Sequence, residues 1–490
     1  MNIKSEKTQS LNKKTFALCA FVFEDSKEPL GLPKLPTKLD TTVKQSLKET
    51  QGKFESMSII YTHQLIAAEK IIITGLGKKQ KTTTDSIRMV AGKIAQKVRE
   101  LKLADFTIIV PEDLQFNINQ TVSAIVEGAE MSMYSFDKYK KEKKEGKAPD
   151  LILVTSHKVD DVILKAKKIA EAVNYTRDIA NLPPNECSPA QLAGFAKSLA
   201  SKNNLKCTIL SKSELKQKGL GGISAVGQGS KNEPKLIVLE YRRGKKQDKP
   251  VVVVGKAVTF DTGGISIKPS EKMDEMKFDK CGGCTVLGIM KAASDLKLPV
   301  NLVGIIPSVE NMLGGESYRP GDVVRLFGGK TAEILNTDAE GRVILADALA
   351  YGVKLYQPSE IMDFATLTGA CIVALGANVA GLVSNNKRIT EKLKSSSART
   401  SEQIWQLPID DDFMEMIKSD VADIKNIGVG RAAGTITAAA FLANAVGNTP
   451  WAHFDIAGTA WIQTGTKPKS YNPKGATGFG VRLILDYLSN

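Results

Sequence analysis

Short apolar runs alternate with amphipathic stretches along this sequence, and this alternation constrains the fold more than any other feature. In the first part of the chain the runs are FALCAFVF (16–23), IIITG (71–75), FTIIVP (106–111) and LILVT (151–155). Between the second and third runs, apolar residues recur at helical spacing from Ile87 to Leu101. Strands that alternate with helices predict an α/β domain with a mostly parallel sheet.

A second set of apolar runs begins after residue 185 and predicts a second, larger α/β domain. These runs are KLIVLEY (235–241), PVVVVG (250–255), VNLVGIIPS (300–308) and EIMDFATL (360–367). The VVVV core of the second run is continuously apolar, as expected for a strand that is covered on both faces.

A long amphipathic helix separates the two sets of runs. Asp160 or Asp161 can cap its start, and two prolines at 183–184 end it. We therefore predict an α/β protein of two domains, each a mostly parallel sheet flanked by helices. The predicted boundaries are 1–158 for the N-terminal domain, 159–184 for the linker helix and junction, and 185–490 for the C-terminal domain.

The amino-acid composition indicates the cellular compartment in which the protein is expected. Six cysteines in 490 residues are too few for a disulfide scaffold, which predicts a reducing compartment. No apolar run reaches the roughly 18–20 residues that span a bilayer. The run TFALCAFVF follows Lys13 and Lys14 as in a signal peptide, but Glu24 and Asp25 follow it without a small-residue cleavage site. We expect a buried first β-strand at 15–23 and a cytoplasmic protein.

The chain carries a net charge of +14, from 67 basic and 53 acidic residues. Its densest basic segment is KYKKEKKEGK (138–147). Such an excess could attract nucleic acid or an anionic surface, whereas a solvated lysine-rich loop is the alternative. No zinc finger or RNP-like string supports nucleic-acid binding.

Charged residues concentrate beside the apolar strands in three segments of the second domain. They are Lys256, Asp261 and Lys268 in the first segment, Asp279 in the second, and Asp338, Glu340 and Arg342 in the third. Ligands bind at the carboxyl ends of strands in open α/β sheets, so these side chains are candidates for one crevice. Four carboxylates gathered there would repel each other and need compensating cations.

Hard oxygen ligands suit divalent metals such as zinc, manganese or magnesium. The sequence has three histidines and no HExxH motif, so carboxylates must supply most ligands of any metal. Asp338 and Glu340 stand two residues apart and point the same way in an extended segment, while Gly341 permits a tight entry into a helix. Surface carboxylates paired with lysine and arginine are the alternative, and spacing alone leaves both readings open.

The motifs in these segments resemble those of a known family. NTDAEGR (336–342), with VGKAVTFDTGGISIKP (254–269) and MKFD (276–279) upstream, resembles the signature of the leucyl aminopeptidase family of cytosolic di-zinc exopeptidases. The resemblance extends from residue 174 to the end and includes ATLTGA (365–370), GRAAGTITAAAFL (430–442) and WAHFDIAG (451–458). The N-terminal domain matches only in size and in its α/β pattern.

The resemblance implies a role for each matching residue. Asp261 and Glu340 would bridge two divalent metals, Lys256 and Asp279 would complete the tighter site, and Asp338 would serve the exchangeable site. Lys268 would polarise the scissile carbonyl, and Arg342 would hold a bicarbonate ion as general base. The metals would be zinc or manganese, with magnesium or cobalt as alternatives.

The resemblance also implies a substrate and an assembly. The substrates would be peptides with a free N-terminus, preferably leucine or another apolar residue, and the protein would be a homohexamer without membrane contact. The residues that match the specificity pocket are Met276, Thr366, Leu367, Gly369, Ala457 and Ala460. Ala460 stands where some relatives carry methionine, which predicts a roomier pocket.

Three alternatives accompany this interpretation. Because some family members bind DNA, a DNA-binding or architectural role remains an alternative that the positive charge permits. An inactive scaffold is disfavoured because no metal or catalytic position is substituted. Cys281 and Cys284 form a CxxC pair that could be redox-active, but they lie inside the metal motif at the predicted start of a helix.

Overall fold

The computed structural model describes residues 1–7, 14–112, 114–142, 147–428, 430 and 432–490. The lysine-rich segment 138–147 therefore lies partly outside the described residues. The chain divides into two compact units, Met1–Glu171 with Lys467–Pro473, and Ala172–Thr466 with Lys474–Asn490. The division falls inside the long helix, and the first unit includes a short segment that the sequence analysis assigned to the C-terminal domain.

The described part of the first unit contains a six-stranded sheet in the order β1-β6-β5-β2-β4-β3. Its strands are β1 (Ile3–Glu6), β2 (Thr15–Phe23), β3 (Met57–Tyr61), β4 (Ala68–Gly77), β5 (Asp105–Ile109) and β6 (Asp150–Val154). Its helices are α1 (Thr37–Thr50), α2 (Thr84–Glu100) and α3 (Ile118–Ser132), and α4 (Asp160–Ala180) begins in this unit. All neighbouring strands are parallel except β3 and β4.

The apolar run at 15–23 is a buried strand, but it is the second strand of the chain and not the first. It lies between β4 and β5 in the middle of the sheet. The strand before it, Ile3–Glu6, alternates too weakly in hydrophobicity to be predicted and lies at the edge. The helix predicted from apolar spacing is α2, whose apolar residues from Ile87 to Val98 are buried.

The segment Lys467–Pro473 contacts α2 of the first unit closely. Ser470 Oγ donates a hydrogen bond to the Met89 carbonyl, and Gln96 Nε2 donates to the Ser470 carbonyl at 2.7 Å. Lys469 Nζ lies 2.8 Å from Asp85 Oδ2, and the Tyr471 hydroxyl donates to Asp85 Oδ1 at 2.6 Å. This segment comes after almost all of the second unit in the sequence, yet it forms part of the first unit.

The second unit is built on a larger sheet. Within the described residues this sheet has nine strands, ordered β16-β15-β18-β14-β9-β11-β8-β7 with β10 paired to β11, beside a separate sheet ordered β12-β13-β17. The strands are β7 (Lys206–Leu210), β8 (Lys235–Arg242), β9 (Val251–Gly255), β10 (Ala257–Asp261), β11 (Asn301–Asn311), β12 (Val323–Arg325), β13 (Thr331–Glu333), β14 (Glu360–Ala365), β15 (Val379–Ser384), β16 (Gln403–Gln406), β17 (Ile424–Lys425) and β18 (Trp451–Asp455).

Helices flank this sheet. They are α5 (Pro189–Asn203), α6 (Lys212–Lys218), α7 (Gly221–Gly227), α8 (Cys281–Asp295), α9 (Glu340–Tyr356), α10 (Gly369–Leu375), α11 (Lys387–Thr400), α12 (Asp411–Glu415), α13 (Gly434–Val446) and α14 (Val481–Ser489). Among the described residues, no helix is long and apolar enough to cross a membrane.

The centre of the larger sheet is parallel, as the sequence predicts. The VVVV run is β9, which pairs in parallel with β14 on one side and β11 on the other. Residues 252–254 are completely buried, which confirms a strand covered on both faces. Antiparallel strands occur toward the edges, where β8 pairs with β11 and β15 with β18. Two α/β units with sheets flanked by helices confirm the predicted fold class.

Candidate metal centre and substrate pocket

The carboxyl ends of neighbouring strands carry the first charged residues of the site. Lys256 directly follows β9, and Asp261 is the last residue of β10. Asp279 belongs to a short 3₁₀ helix, Met273–Lys280, that leads into α8. All three side chains are nearly or completely buried. The switch from strand to loop at this edge of the sheet brings separate parts of the sequence to one place.

A tight glycine turn returns Lys268 to Asp261. Gly263 and Gly264 have φ values of +85° and +65°, which side chains rarely adopt, and a Cβ on Gly263 would lie 2.4 Å from the Ser266 carbonyl oxygen. The Lys268 N–H closes the turn by donating to the Thr262 carbonyl at 2.9 Å. As a result, Lys268 Nζ lies 2.8 Å from Asp261 Oδ2.

The start of α9 supplies the NTDAEGR residues. Glu340 is the first residue of this helix and is buried, while Asp338 lies in the preceding turn and contacts Lys268 Nζ. A Cβ on Gly341 would lie 2.7 Å from Cε of Lys256. A side chain at 341 would therefore have to displace the Lys256 stem, which passes directly over the helix backbone. Glycine thus does more here than permit the tight helix entry that the sequence suggested.

Lys256 is the centre of a buried group of oxygens. Its Nζ lies 2.8 Å from Asp279 Oδ1 and 2.8 Å from Glu340 Oε1, and it donates to the Thr366 carbonyl at 2.9 Å. Burial alone would lower the pKa of Lys256, but the Asp279, Glu340 and Asp261 carboxylates raise it above its usual range. With these oxygens as its partners the lysine is charged, so binding a metal through its Nζ would require the loss of that proton.

The carboxylates of the site outnumber the cations that compensate them. Burial and then repulsion from neighbouring carboxylates raise the pKa of Glu340 and of Asp338. Burial also raises the pKa of Asp279, against the opposing effect of Lys256. In addition, Asp279 Oδ2 is buried and has no hydrogen-bond partner within the described part of the chain. Both observations indicate that positive charge is needed beyond the two lysines.

The donor set fits divalent metals. Asp261, Asp338 and Glu340 each place a carboxylate oxygen within 4.8 Å of the others, and Asp279 adds its unpartnered oxygen nearby. Hard carboxylate oxygens are the ligands that zinc, manganese and magnesium accept. A cation there would also reduce the repulsion that raises the carboxyl pKa values. The five residues predicted as ligands therefore meet in one cluster.

Arg342 lies at the same cluster, two residues after Glu340. One of its terminal nitrogens donates to the Asn426 carbonyl at 2.8 Å, whereas its buried Nε finds no partner among the residues that the structure describes. Burial lowers the pKa of Arg342 to about 10. A guanidinium with an unused buried donor is suited to hold a small anion.

The cluster opens into a cavity of about 610 Å³. Besides the charged residues, the cavity is lined by Met276, Asn336, Ala339, Thr366, Leu367, Thr368, Gly369, Ile372, Ile427, Gly434, Ala457, Trp461 and Gln463. Five of the six predicted pocket residues are in this lining, Ala460 being the exception. The cavity combines an apolar wall with a charged floor, as a site for an apolar side chain beside a reacting group requires.

Ala460 is buried and is not among the residues that line the cavity. Its N–H donates to the Ile456 carbonyl at 2.9 Å, and its carbonyl accepts the Thr477 N–H at 2.9 Å, so its backbone closes a turn that includes Ala457. The neighbouring Trp461 lines the cavity instead and stacks on Phe278, with ring centroids 5.4 Å apart. Trp461 was not predicted as a pocket residue, although its place directly after Ala460, a predicted pocket residue, was an available signal.

Asn311 is a second residue that the sequence analysis missed. Its Nδ2 donates to Asp261 Oδ1 at 2.8 Å and to the Thr337 carbonyl at 3.0 Å. It therefore orients one candidate ligand and the backbone just before another. No spacing rule points to Asn311, because it lies 50 residues from Asp261.

The CxxC pair has a structural explanation. Cys281 and Cys284 are buried free thiols, and burial raises the pKa of Cys281 to about 12. A redox-active thiol needs a low pKa and access, so these properties disfavour the redox interpretation. Between them, a Cβ on Gly282 would lie 2.1 Å from the Phe364 carbonyl oxygen, so the glycine allows α8 to start against β14.

Comparison with known proteins adds independent information. The model of the cytosol aminopeptidase family's catalytic domain matches residues 174–485, and that of its N-terminal domain matches residues 20–143. A probable cytosol aminopeptidase of Cenarchaeum symbiosum is 57% identical over 489 residues, covering 100% of this chain and 99% of the relative. One from Roseiflexus castenholzii is 44% identical, covering 93% of each.

A solved structure is also similar. The bottromycin maturation enzyme BotP in complex with Mn superposes with a TM-score of 0.86 at 29% identity, covering 97% of this chain and 99% of that one. The likeness extends over both units of the fold.

Proposed function

This chain belongs to the cytosol aminopeptidase family of metal-dependent peptidases, and from that premise we propose that it uses two divalent metals to remove apolar N-terminal residues, leucine among them, from peptides. The observation that carries the proposal is the meeting of the carboxylate cluster, Lys268 and the half-apolar cavity at one end of the larger sheet. A charged floor suits the reacting amide, and an apolar wall suits the side chain of the residue removed.

Lys256, Asp261, Asp279, Asp338 and Glu340 are the residues that would hold the metals. Bound there, two divalent cations would lower the pKa of water, polarise the scissile carbonyl and accept the free α-amine of the peptide. Mn in the complex of BotP supports manganese as one candidate, beside zinc, magnesium and cobalt.

Lys268 would stabilise the negative charge that develops on the carbonyl oxygen. Its Nζ lines the cavity, and its ion pairs with Asp261 and Asp338 fix its position before substrate arrives. Burial alone would lower the pKa of Lys268, but those carboxylates and Glu340 raise it above its usual range, so it stays charged. A donor held in place costs no reorganisation during the reaction.

Arg342 would hold bicarbonate as the general base. An anion bound there would accept the hydrogen bond of the buried Nε, which has no partner among the described residues. Bicarbonate held in this way would supply a base beside the cluster.

We also propose a homohexameric, cytoplasmic enzyme. Analytical ultracentrifugation tests the oligomeric state, and cell fractionation tests the location.

The function is tested with aminoacyl-amidomethylcoumarin substrates. We expect the wild-type protein to cleave the leucyl substrate. This activity should disappear when a chelator removes the metals and return when zinc, manganese or cobalt is added. N-acetyl-leucyl-amidomethylcoumarin is the matched control, because blocking the α-amine should abolish cleavage. Cleavage of the acetylated substrate at a comparable rate would contradict an aminopeptidase.

Replacing Lys256 by arginine tests whether this lysine is a metal ligand. A guanidinium keeps its charge and has no lone pair to donate, so we expect Lys256→Arg to bind one tightly held metal fewer per chain than wild type. Metal stoichiometry by elemental analysis after gel filtration measures this. Two retained metals would show that Lys256 acts only as the ion-pair partner of Asp279 and Glu340.

The lining of the cavity predicts which position controls substrate size. Met276 lines the cavity, whereas Ala460 does not. Met276→Ala should raise kcat/KM for phenylalanyl relative to leucyl substrate by about tenfold, since a few methylenes in an apolar pocket discriminate by about 1–3 kcal/mol. Ala460→Gly is the matched control and should leave this ratio within about twofold. A larger effect from Ala460→Gly would place Ala460 on the wall.

A further inference from the structure

Asp455 connects two loops of the cavity without lining it. It is the last residue of β18, and its side chain is completely buried. The lining of the cavity includes Leu367, Thr368 and Ala457 but not Asp455. Any effect of Asp455 on substrate must therefore act through those neighbours.

Both oxygens of Asp455 accept hydrogen bonds from the lining residues. Oδ1 accepts the backbone N–H groups of Leu367 at 3.3 Å, Thr368 at 3.5 Å and Ala457 at 3.1 Å. Oδ2 accepts the Thr368 hydroxyl at 2.6 Å. Leu367 and Thr368 belong to the loop after β14, while Ala457 belongs to the loop after β18. One carboxylate therefore fixes the separation between two walls of the cavity.

The β14 loop is held differently on its other side. Lys256 Nζ donates to the Thr366 carbonyl, and the Thr366 hydroxyl donates to Asp279 Oδ1 at 2.7 Å. The candidate metal ligands thus anchor Thr366, whereas Asp455 anchors the two residues after it. Loss of Asp455 would free the wall of the cavity while leaving these contacts of the metal centre in place.

A carboxylate buried this deeply is costly unless hydrogen bonds compensate it. Burial raises the pKa of Asp455, and the nearby His453 together with the hydrogen bonds from Thr368, Ala457 and Leu367 opposes that rise. His453 supplies the largest part of this compensation, and the hydrogen bonds from the two loops supply the rest. The Asp455 carboxylate in turn accepts hydrogen bonds from both loops, which an apolar side chain at this position could not do.

We propose that Asp455 is a positioning residue that sets the width of the substrate side-chain pocket. This inference rests on the proposed aminopeptidase function, because pocket width is observed as preference among N-terminal residues. Without Asp455 the loop after β14 and the loop after β18 can separate, and substrates of different size are then distinguished less well.

The test compares kcat/KM for alanyl, leucyl, methionyl and phenylalanyl substrates in wild type and Asp455→Ala. We expect the spread between best and worst substrate to contract by about threefold or more, since each pocket contact discriminates modestly. The ratios are taken within one preparation, so a smaller folded or metal-loaded fraction cancels. A merely structural role would lower the melting temperature and leave the ratios unchanged.

Asp455→Asn offers a second variant in case Asp455→Ala does not fold. It keeps nearly the same side-chain volume but replaces one acceptor oxygen by an amide group, so it should also contract the spread. Asp347→Ala is a matched control, because Asp347 is equally buried and accepts the backbone N–H groups of Ile223 and Phe327, outside this cavity. It should lower stability without changing the spread.

The outcomes separate the two proposals. An unchanged spread in Asp455→Asn, and in Asp455→Ala where it folds, overturns the role of Asp455 and leaves the aminopeptidase intact. A wild-type protein that cleaves none of the four substrates with any added metal overturns the proposed function, and the role of Asp455 with it. Equal contraction in Asp347→Ala would show a general loosening and would also overturn the inference.

Discussion

Glu340→Ala is expected to lower kcat to about one thousandth of the wild-type value or less. Glu340 begins α9, is buried, and lies among Asp261, Asp338 and Lys256, so its carboxylate is the one most central to the proposed metal pair. Loss of a shared ligand should remove both metal binding and the charge stabilisation that the reaction needs. Steady-state kinetics with leucyl-amidomethylcoumarin and elemental analysis measure the two effects together.

The matched control for this prediction is Glu316→Ala, which removes an exposed carboxylate of the same unit. It should retain both metals and wild-type turnover. If Glu340→Ala kept turnover within tenfold of wild type with its metal content intact, the assignment of this cluster as the active centre would be wrong.

The second large effect is expected at Lys268. Lys268→Ala should lower kcat by about 10²–10³-fold while KM changes far less, because an oxyanion donor acts mainly in the transition state. The ion pairs of Lys268 with Asp261 and Asp338 place the ammonium at the cavity before substrate binds. Measuring kcat and KM separately at saturating metal distinguishes this role from ground-state binding.

Lys354→Ala provides the comparison for Lys268, because Lys354 is an exposed lysine on α9 outside the cavity. Both kinetic constants of this variant should match wild type. A loss in Lys268→Ala that appears mainly in KM would make Lys268 a substrate-binding residue.

The features that could be predicted from the sequence are those that depend on a local pattern of residues. The apolar VVVV run was enough to identify a central parallel strand, and residues that follow such strands were enough to predict a common crevice. Lys256, Asp261, Asp279 and Glu340 do converge there. A general property of parallel sheets accounts for Lys256 and Asp261, which stand at strand ends. Asp279 and Glu340 reach the same place from a 3₁₀ helix and from the start of α9.

Other features depend on contacts between residues far apart in the chain. Asn311 donates to Asp261 across 50 residues, and Asp455 accepts from Thr368 across 87. An isolated aspartate in an apolar strand carries no periodic signal, so its function appears only when its partners are known. Ala460 is likewise kept out of the cavity lining by a backbone turn, and the identity of its side chain does not indicate this turn.

The segment Lys467–Pro473 has a consequence for the synthesis of the protein. Asp85 is half-buried in α2, where this burial alone would raise its pKa and the Lys469 and Arg88 cations lower it. A ribosome that has just finished residue 171 must still add roughly 300 residues before Pro473, which takes about 15–60 s at 5–20 residues per second. During that interval Asp85 lacks its lysine and tyrosine partners. The N-terminal unit therefore emerges first but is completed among the last, and a fragment ending at residue 171 lacks part of its own structure.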